Sequence, residues 1–378
     1  MSKTKKTRIR IAQPWITEHE IQYVNDAVKN GWGNHSSDYI KKLEKEFSSL
    51  HKTQYAVATS SCTGATHMAL KAMGIGSGDE VILPEITWAS CPSAVIYTGA
   101  KPVFVDVKEN TWCIDPKKIL EAITPKTKVI MPVHVYGNVC EMDEIMKIAD
   151  RFDLKVIEDA AEALGSEYKD QKVGSIGDCG VFSFHGTKMA TSGEGGIFIT
   201  NNKKLFDDFN ILHDQGRIPE EEKFFYPHKL GYKYKISNLQ AAIACAQIER
   251  LEELVNKKNQ IFYWYKNLLQ DINFIDMNHQ QEYVKNSYWM PTIVFDKSVN
   301  INRDDLMKYL DKKGIDSRPF FYPLSSLPMF KKVKKNNISY SLSNRGIYLP
   351  SAFYLSKEDI NYIVEAIKEY LFDKPLRV

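Results

Sequence analysis

The sequence has six cysteines (Cys62, Cys91, Cys113, Cys140, Cys179 and Cys245), with no CxxC pair and no histidine at metal spacing from any of them. That spacing argues against a zinc site or a disulfide framework, so no metal is expected and a cytoplasmic, reducing setting fits best. No run of about twenty apolar residues is present to span a bilayer, so no membrane segment is expected. The basic start MSKTKKTRIR leads into IAQPWITEHE, which has no apolar h-region and no cleavage site, so no signal peptide is read there. Charge of one sign is also lacking: 50 Lys and Arg face 47 Asp and Glu, a formal net charge of +3. This disfavours a dedicated nucleic-acid or membrane-surface protein, and an acidic ligand must be met by local groups. No internal repeat or low-complexity tract is evident.

What is present is 378 residues, enough for two or three domains and a substantial core. From about residue 16 to 240, β-rich runs alternate with helical patterns, the signature of a layered α/β unit with a largely parallel sheet. YAVATSS reads as a strand, and CTGATHMALKAMGIGSGD as a helix with Met68 and Met73 in its core face. EVILPEITWAS, KPVFVDV, KVIMPVHVYG and LKVIEDAAEALGSEY follow as strands with polar residues where each ends. KISNLQAAIACAQIERLEELVNKKNQIFYWYKNLL reads as one long helical stretch. The remainder has fewer, shorter units and ends in a helix opened by Ser356 and Asp359 at capping-box spacing. The expectation is a large domain over 1–250 and a smaller α/β domain over 251–378.

Ligands of open α/β sheets bind at the carboxyl ends of the strands, so the polar strand ends are candidates to line one crevice. Among them is Lys188, in the loop of VFSFHGTKMATSGEGGIFITNN, with no apolar neighbour to hold its stem. A lysine used for covalent chemistry must be partly neutral and fixed near its electrophile, and a Schiff base to pyridoxal phosphate is the commonest reason to hold one in a loop. Such a cofactor needs a carboxylate at its pyridine nitrogen, donors for its phosphate and a flat face against its ring. Asp159, at the end of VIED, supplies the first. Glu162 returns to the same side on a following helical turn, toward the ring's phenolic oxygen. SSCTG, between strand and helix, offers backbone N–H groups and the Thr63 hydroxyl to a phosphate, with Ser183 adding another hydroxyl. Trp88 is able to stack on the ring, with His185 as the alternative; His134 reads as structural or as pocket wall.

Together, FSFHGTKMATSGEGG, VIEDAAEALGS, PEITWAS and GYKYKISNLQAAIACAQIERL resemble the DegT/DnrJ/EryC1/StrS family of fold type I, pyridoxal-phosphate-dependent sugar aminotransferases. The resemblance runs from ITEHEIQYVNDAVKNGW to RPFFYPL, nearly the whole chain. It implies a large domain with a mostly parallel mixed sheet flanked by helices, plus a smaller C-terminal α/β domain. It also implies Lys188 as the Schiff-base lysine, Asp159 at the pyridine nitrogen, Glu162 near the phenolic oxygen, Ser183 and the Cys62–Thr63 backbone at the phosphate, and Trp88 against the ring. Dehydratases of the family carry histidine in place of the lysine, so Lys188 implies transamination. Where relatives often place an asparagine that reaches the phosphate across a dimer interface, this chain has Lys233. Cys62 replaces the usual small residue of the phosphate turn and leaves its N–H donors intact.

The implied reaction takes an amino group from L-glutamate and gives it to a ketone, usually a keto-deoxy sugar on a nucleoside diphosphate for surface polysaccharide or glycan biosynthesis. A small phosphorylated ketone of the dihydroxyacetone phosphate type is the alternative acceptor. Arg318, with Phe320, Phe321 and Tyr322, is a candidate to bind its phosphate and stack a base or sugar; His185 is a further substrate-binding candidate. A homodimer is expected. Two readings of other classes are a non-catalytic subunit on the same fold and a nucleic-acid binder built on KTKKTRIR and KKVKK. The first is disfavoured by the intact lysine motif, the second by the balanced charge. FKKVKKNN reads as a solvated face.

Overall fold

In the computed structural model residues 8–218, 223 and 225–372 are described; most of the basic start, and the last six residues of the expected C-terminal domain, lie outside them. Among the described residues nine strands precede residue 201: β1 (Tyr55–Thr59), β2 (Glu80–Pro84), β3 (Lys101–Val105), β4 (Thr127–Ile130), β5 (Lys155–Asp159), the short pair β6 (Glu167–Tyr168) and β7 (Gln171–Lys172), β8 (Cys179–Ser183) and β9 (Gly196–Thr200). Seven of them form one sheet in the order β1-β9-β8-β5-β4-β2-β3. The β2, β8 and β9 sequences are nearly all buried, as a sheet covered on both faces requires. Successive side chains feed two separate cores. Ala56, Ala58, Ile82, Ile130, Val156, Phe182, Ile197 and Ile199 pack on one face. Val57, Val81, Leu83, Val129, Ile157, Val181 and Phe198 pack on the other.

Strand β9 runs antiparallel to both its neighbours, whereas the pairs β2–β3, β2–β4, β4–β5 and β5–β8 are parallel. One edge of the sheet therefore collects the carboxyl ends of β1, β2, β4, β5 and β8 together with the amino end of β9. The functional side chains assemble at that edge.

A second sheet is built from β10 (Ile275–Met277), β12 (Thr292–Phe295), β13 (Arg318–Pro319) and β14 (Gly346–Tyr348), antiparallel throughout, in the order β10-β12-β14-β13; between β10 and β12, β11 (Val284–Lys285) instead pairs with β6. Helices Leu251–Leu269, Arg303–Lys312 and Lys357–Phe372 contribute to its core. Ser356 and Asp359 cap the last helix reciprocally, as their spacing predicts. Ile9 belongs to this C-terminal core and bridges to Ile315, so the chain's beginning and end share one cluster. No helix among the described residues is long and apolar enough to cross a membrane.

Two local expectations are corrected. The long helical stretch is two helices, Asn238–Glu249 and Leu251–Leu269, that meet at Arg250 with φ −105°. Arg250 leaves helical geometry where its guanidinium reaches Glu20 at 2.7 Å and Glu253 at 2.8 Å. The segment after Asp159 is a series of turns rather than a helical turn, with Ala163 N–H donating to the Ala160 carbonyl and Gly165 at φ +90°.

Lys258, on the second of those helices, is 1 % exposed. Its ammonium donates to the carbonyl and hydroxyl of Ser351 and lies 4.6 Å from the Phe353 ring centroid. Burial lowers its pKa from 10.5 to about 7. Between those values the folded chain binds fewer protons than the unfolded one, so stability from this group rises with pH across that window. Urea unfolding of the wild type and Lys258→Met from pH 7 to 10.5 is expected to show the wild type gaining on the variant as pH rises. A pH-independent difference would refute it.

Candidate active site

Strand β1 ends at Thr59, and the helix Cys62–Ala72 begins three residues later, capped by the Ser61 hydroxyl, which accepts the Gly64 N–H at 3.0 Å. The N–H groups of Cys62 and Thr63 are its first two and have no intrahelical acceptor, so this end favours an anion. Strand β9 passes close behind it. A Cβ on Gly196 would lie 2.4 Å from the Cys62 nitrogen, so only glycine allows the strand to approach the helix end this closely.

At the end of β5 the strand's alternation separates two adjacent carboxylates. Glu158 faces away from the cleft and accepts the N–H groups of Gly174, Ile176 and Gly177, with His134 Nε2 at 3.1 Å. The Cys140 N–H donates to His134 Nδ1, which assigns the ring proton to Nε2. His134 is thus structural. Asp159 faces the cleft at 4 % exposure. Its Oδ1 accepts the Ala161 N–H at 3.1 Å, and its Oδ2 accepts from the Cys91 thiol at 3.1 Å. Burial and the neighbouring Asp159 charge push the Cys91 thiol well up, which keeps it a donor.

The turns after Asp159 return Glu162 to the same cleft. Its Oε2 accepts the Tyr136 N–H at 3.0 Å and its Oε1 lies 3.3 Å from Lys188 Nζ. Burial raises the Glu162 pKa, partly offset by Lys188 and the Tyr136 N–H. Lys188 follows β8 in a loop closed by Gly186 N–H to Gly193 O and by Lys188 N–H to His185 O. Its side chain is 14 % exposed. Trp289 donates its indole N–H to the Thr187 carbonyl at 2.8 Å, and its ring centroid lies 4.0 Å from Lys188 Nζ.

These groups line one cleft of about 370 Å³, within the range of small-ligand sites. Cys62, Thr63, Trp88, Asp159, Glu162, Ser183, His185 and Lys188 all stand on its wall. Trp88 is 63 % exposed at the mouth, its ring 6.4 Å from that of Phe321. His185 is half-exposed, with Nδ1 3.0 Å from the Thr187 hydroxyl.

Three expected residues are not on this wall. Lys233 pairs with Asp214 of its own chain at 3.1 Å. Arg318 is exposed on β13, in register with Tyr348, which does line the cleft. Tyr322 is half-exposed, its ring centroid 5.2 Å from the Arg303 guanidinium carbon. Within the same aromatic run Phe320 is fully buried in the core, and Phe321 is the member that reaches the cleft. Sequence reasoning missed Trp289, Tyr348 and Cys91, because an aromatic or thiol in an apolar run carries no mark that separates a wall from a core.

The chain is similar over most of its length to known proteins of one family. The DegT/DnrJ/EryC1/StrS aminotransferase family model matches residues 14–368. GDP-perosamine synthase of Escherichia coli O157:H7 is 40% identical over 97% of this chain and 99% of its own. Spore coat polysaccharide biosynthesis protein SpsC of Bacillus subtilis is 33% identical over 94% of this chain and 95% of its own. Among solved structures, Spr1654 from Streptococcus pneumoniae, a sugar aminotransferase by name, superimposes in its PLP form with a TM-score of 0.87 at 30% identity, covering 96% of this chain and 98% of that one.

The contact behind the helix end yields a test. Gly196→Ala must push the Cys62 nitrogen out of place and is expected to weaken pyridoxal phosphate binding by about tenfold or more. Absorbance titration of the cofactor-free protein measures this; unchanged affinity would show that the helix end does not hold the phosphate.

Proposed function

The chain belongs to the DegT/DnrJ/EryC1/StrS aminotransferase family and is a pyridoxal-phosphate enzyme; from that premise we propose that it moves the amino group of L-glutamate to a keto-deoxy sugar carried on a nucleoside diphosphate, for polysaccharide biosynthesis in the cytoplasm. The observation that carries the reading is a nearly dry lysine paired with a carboxylate, in a cleft that also holds a second carboxylate and a helix N-terminus. The names of the relatives, GDP-perosamine synthase and a spore coat polysaccharide protein, support a nucleotide-linked sugar.

The residues fit the cofactor by charge and donor type. The Cys62 and Thr63 N–H groups, with the Thr63 and Ser183 hydroxyls, would take the phosphate dianion. Asp159, oriented by the Ala161 N–H and the Cys91 thiol, would hold the proton on the pyridine nitrogen. Glu162 would stand by the phenolic oxygen and Trp88 would cover a ring face. When bound, the cofactor supplies an electrophilic carbon and an electron sink, accepting the amino group from one substrate and passing it to the next. Lys188 would anchor it, and its free Nζ would move the proton of the donor's α-carbon. Glu162 keeps that amine in the cleft between the two tasks.

The division into domains near residue 250 and the homodimer belong to the same proposal. Leu230 is 89 % exposed and Tyr97 60 %, apolar side chains that a second copy would cover. In such a dimer the GYKYK segment brings Lys233 toward the partner's phosphate site. Arg318, in register with Tyr348 of the cleft wall, is proposed to bind a phosphate of the acceptor.

Lys188→Ala is expected to lower turnover by more than about 10³-fold, because anchor and proton carrier are lost together. With the wild type, L-glutamate should bleach the visible cofactor band, and a GDP-linked keto sugar should restore it. Restoration by dihydroxyacetone phosphate alone would move the reading to small phosphorylated ketones, and a band indifferent to every amino donor would refute transamination. Sedimentation is expected to show a dimer; a fully active monomer would remove the shared site.

A further inference from the structure

We propose that Trp289 is the positioning residue for Lys188, so that the seating of the C-terminal sheet governs where the reactive amine stands. The inference rests on the aminotransferase reading and adds a residue to it. Trp289 makes two separate contacts with the lysine loop. Its indole N–H binds the carbonyl of Thr187, the residue immediately before the lysine, at 2.8 Å. Its ring face lies 4.0 Å from Lys188 Nζ, on the ammonium that Glu162 holds at 3.3 Å. The circuit then closes. The Tyr136 ring lies nearly parallel to Trp289, 6.4 Å away with 16° between planes, and the Tyr136 N–H binds Glu162.

The segment carrying Trp289 is itself pinned. A Cβ on Gly137 would lie within 2.7 Å of Asn286 Oδ1 and the Tyr288 nitrogen and 2.9 Å from the Trp289 nitrogen, so the turn at 136–137 rests directly on this backbone. Tyr136 adopts φ +55° there, a conformation that needs packing to hold it. The Ser166 hydroxyl donates to the Gly137 carbonyl and accepts the Ser287 N–H. Trp289 is 5 % exposed and stands three residues before β12 of the C-terminal sheet, at 292–295.

A lysine stem has four rotatable carbons, and one carboxylate leaves the amine free to swing. An aromatic face attracts the ammonium without offering a lone pair to take its proton, so it restricts position without competing for the proton that must move. The N–H contact restrains the backbone of the same residue. Loss of both should therefore leave the cofactor's cradle intact and misplace only the amine.

The test compares Trp289→Phe, which keeps a ring and loses the N–H, with Trp289→Leu, which loses both. Turnover is expected to fall about tenfold in the first and about a hundredfold in the second, with the L-glutamate KM within about twofold. Cofactor-free protein gives a readout independent of activity. Trp289→Leu should slow growth of the visible band on adding pyridoxal phosphate, which bonds to Lys188. It should leave unchanged the affinity for pyridoxamine phosphate, which does not, and Trp289→Phe should largely rescue the band. Equal loss of both ligands, or equal turnover in the two variants, would make Trp289 a mere wall of the cleft and overturn the proposal. A wild-type protein that forms no band at all would overturn the aminotransferase reading first, so the two failures are distinguishable.

Discussion

A cation and a carboxylate held together almost out of water organise this protein: Lys188, 14 % exposed, against Glu162, 5 % exposed. Removing either partner would leave a buried charge unpaired, which costs about 3–5 kcal/mol. The pair survives because each member has a second tether: Tyr136 N–H on Glu162 and the Trp289 ring on Lys188. Both tethers depend on distant segments packing in register, from the turn after β4 and from the strand entering the C-terminal sheet.

The reversed strand β9 is the other constraint. By running against β1 and β8 it brings its amino end, at Gly196, under the helix that follows β1. A parallel strand there would present its carboxyl end instead. The lysine loop between β8 and β9, residues 184–195, therefore stays at this one edge, closed by its own backbone hydrogen bonds, and shares a cleft with the helix N-terminus and Asp159. Alternation along β5 completes the arrangement. Of two neighbouring carboxylates, Glu158 is consumed by three backbone N–H groups and a histidine, and Asp159 is left for the cleft.

The large sheet was legible because its strands are short apolar runs separated by turn residues, and the cleft because polar residues cluster where those runs end. Lys188, Asp159, Glu162, Ser183, Thr63 and Trp88 reach one wall as their motifs imply. The route of Glu162 was misread, since local spacing suits a helical turn as well as the turns that Gly165 and the Ala160 carbonyl enforce. The break at Arg250 was invisible for a similar reason: the Arg250 side chain is partnered by Glu20, 230 residues away in sequence. In SRPFFYP, adjacent aromatics part ways, Phe320 to the core and Phe321 to the cleft, and only packing decides which.

The sequence by itself determined the fold class, the family and which lysine and two carboxylates meet in one cleft, because these rest on local order: strand, polar turn, helix, in a fixed succession. Tertiary structure alone decided which side chains surround that lysine. Trp289, Cys91 and Tyr348 come from segments whose apolar character is the same whether they fill a core or face a substrate, and contact between residues a hundred positions apart leaves no mark in either stretch.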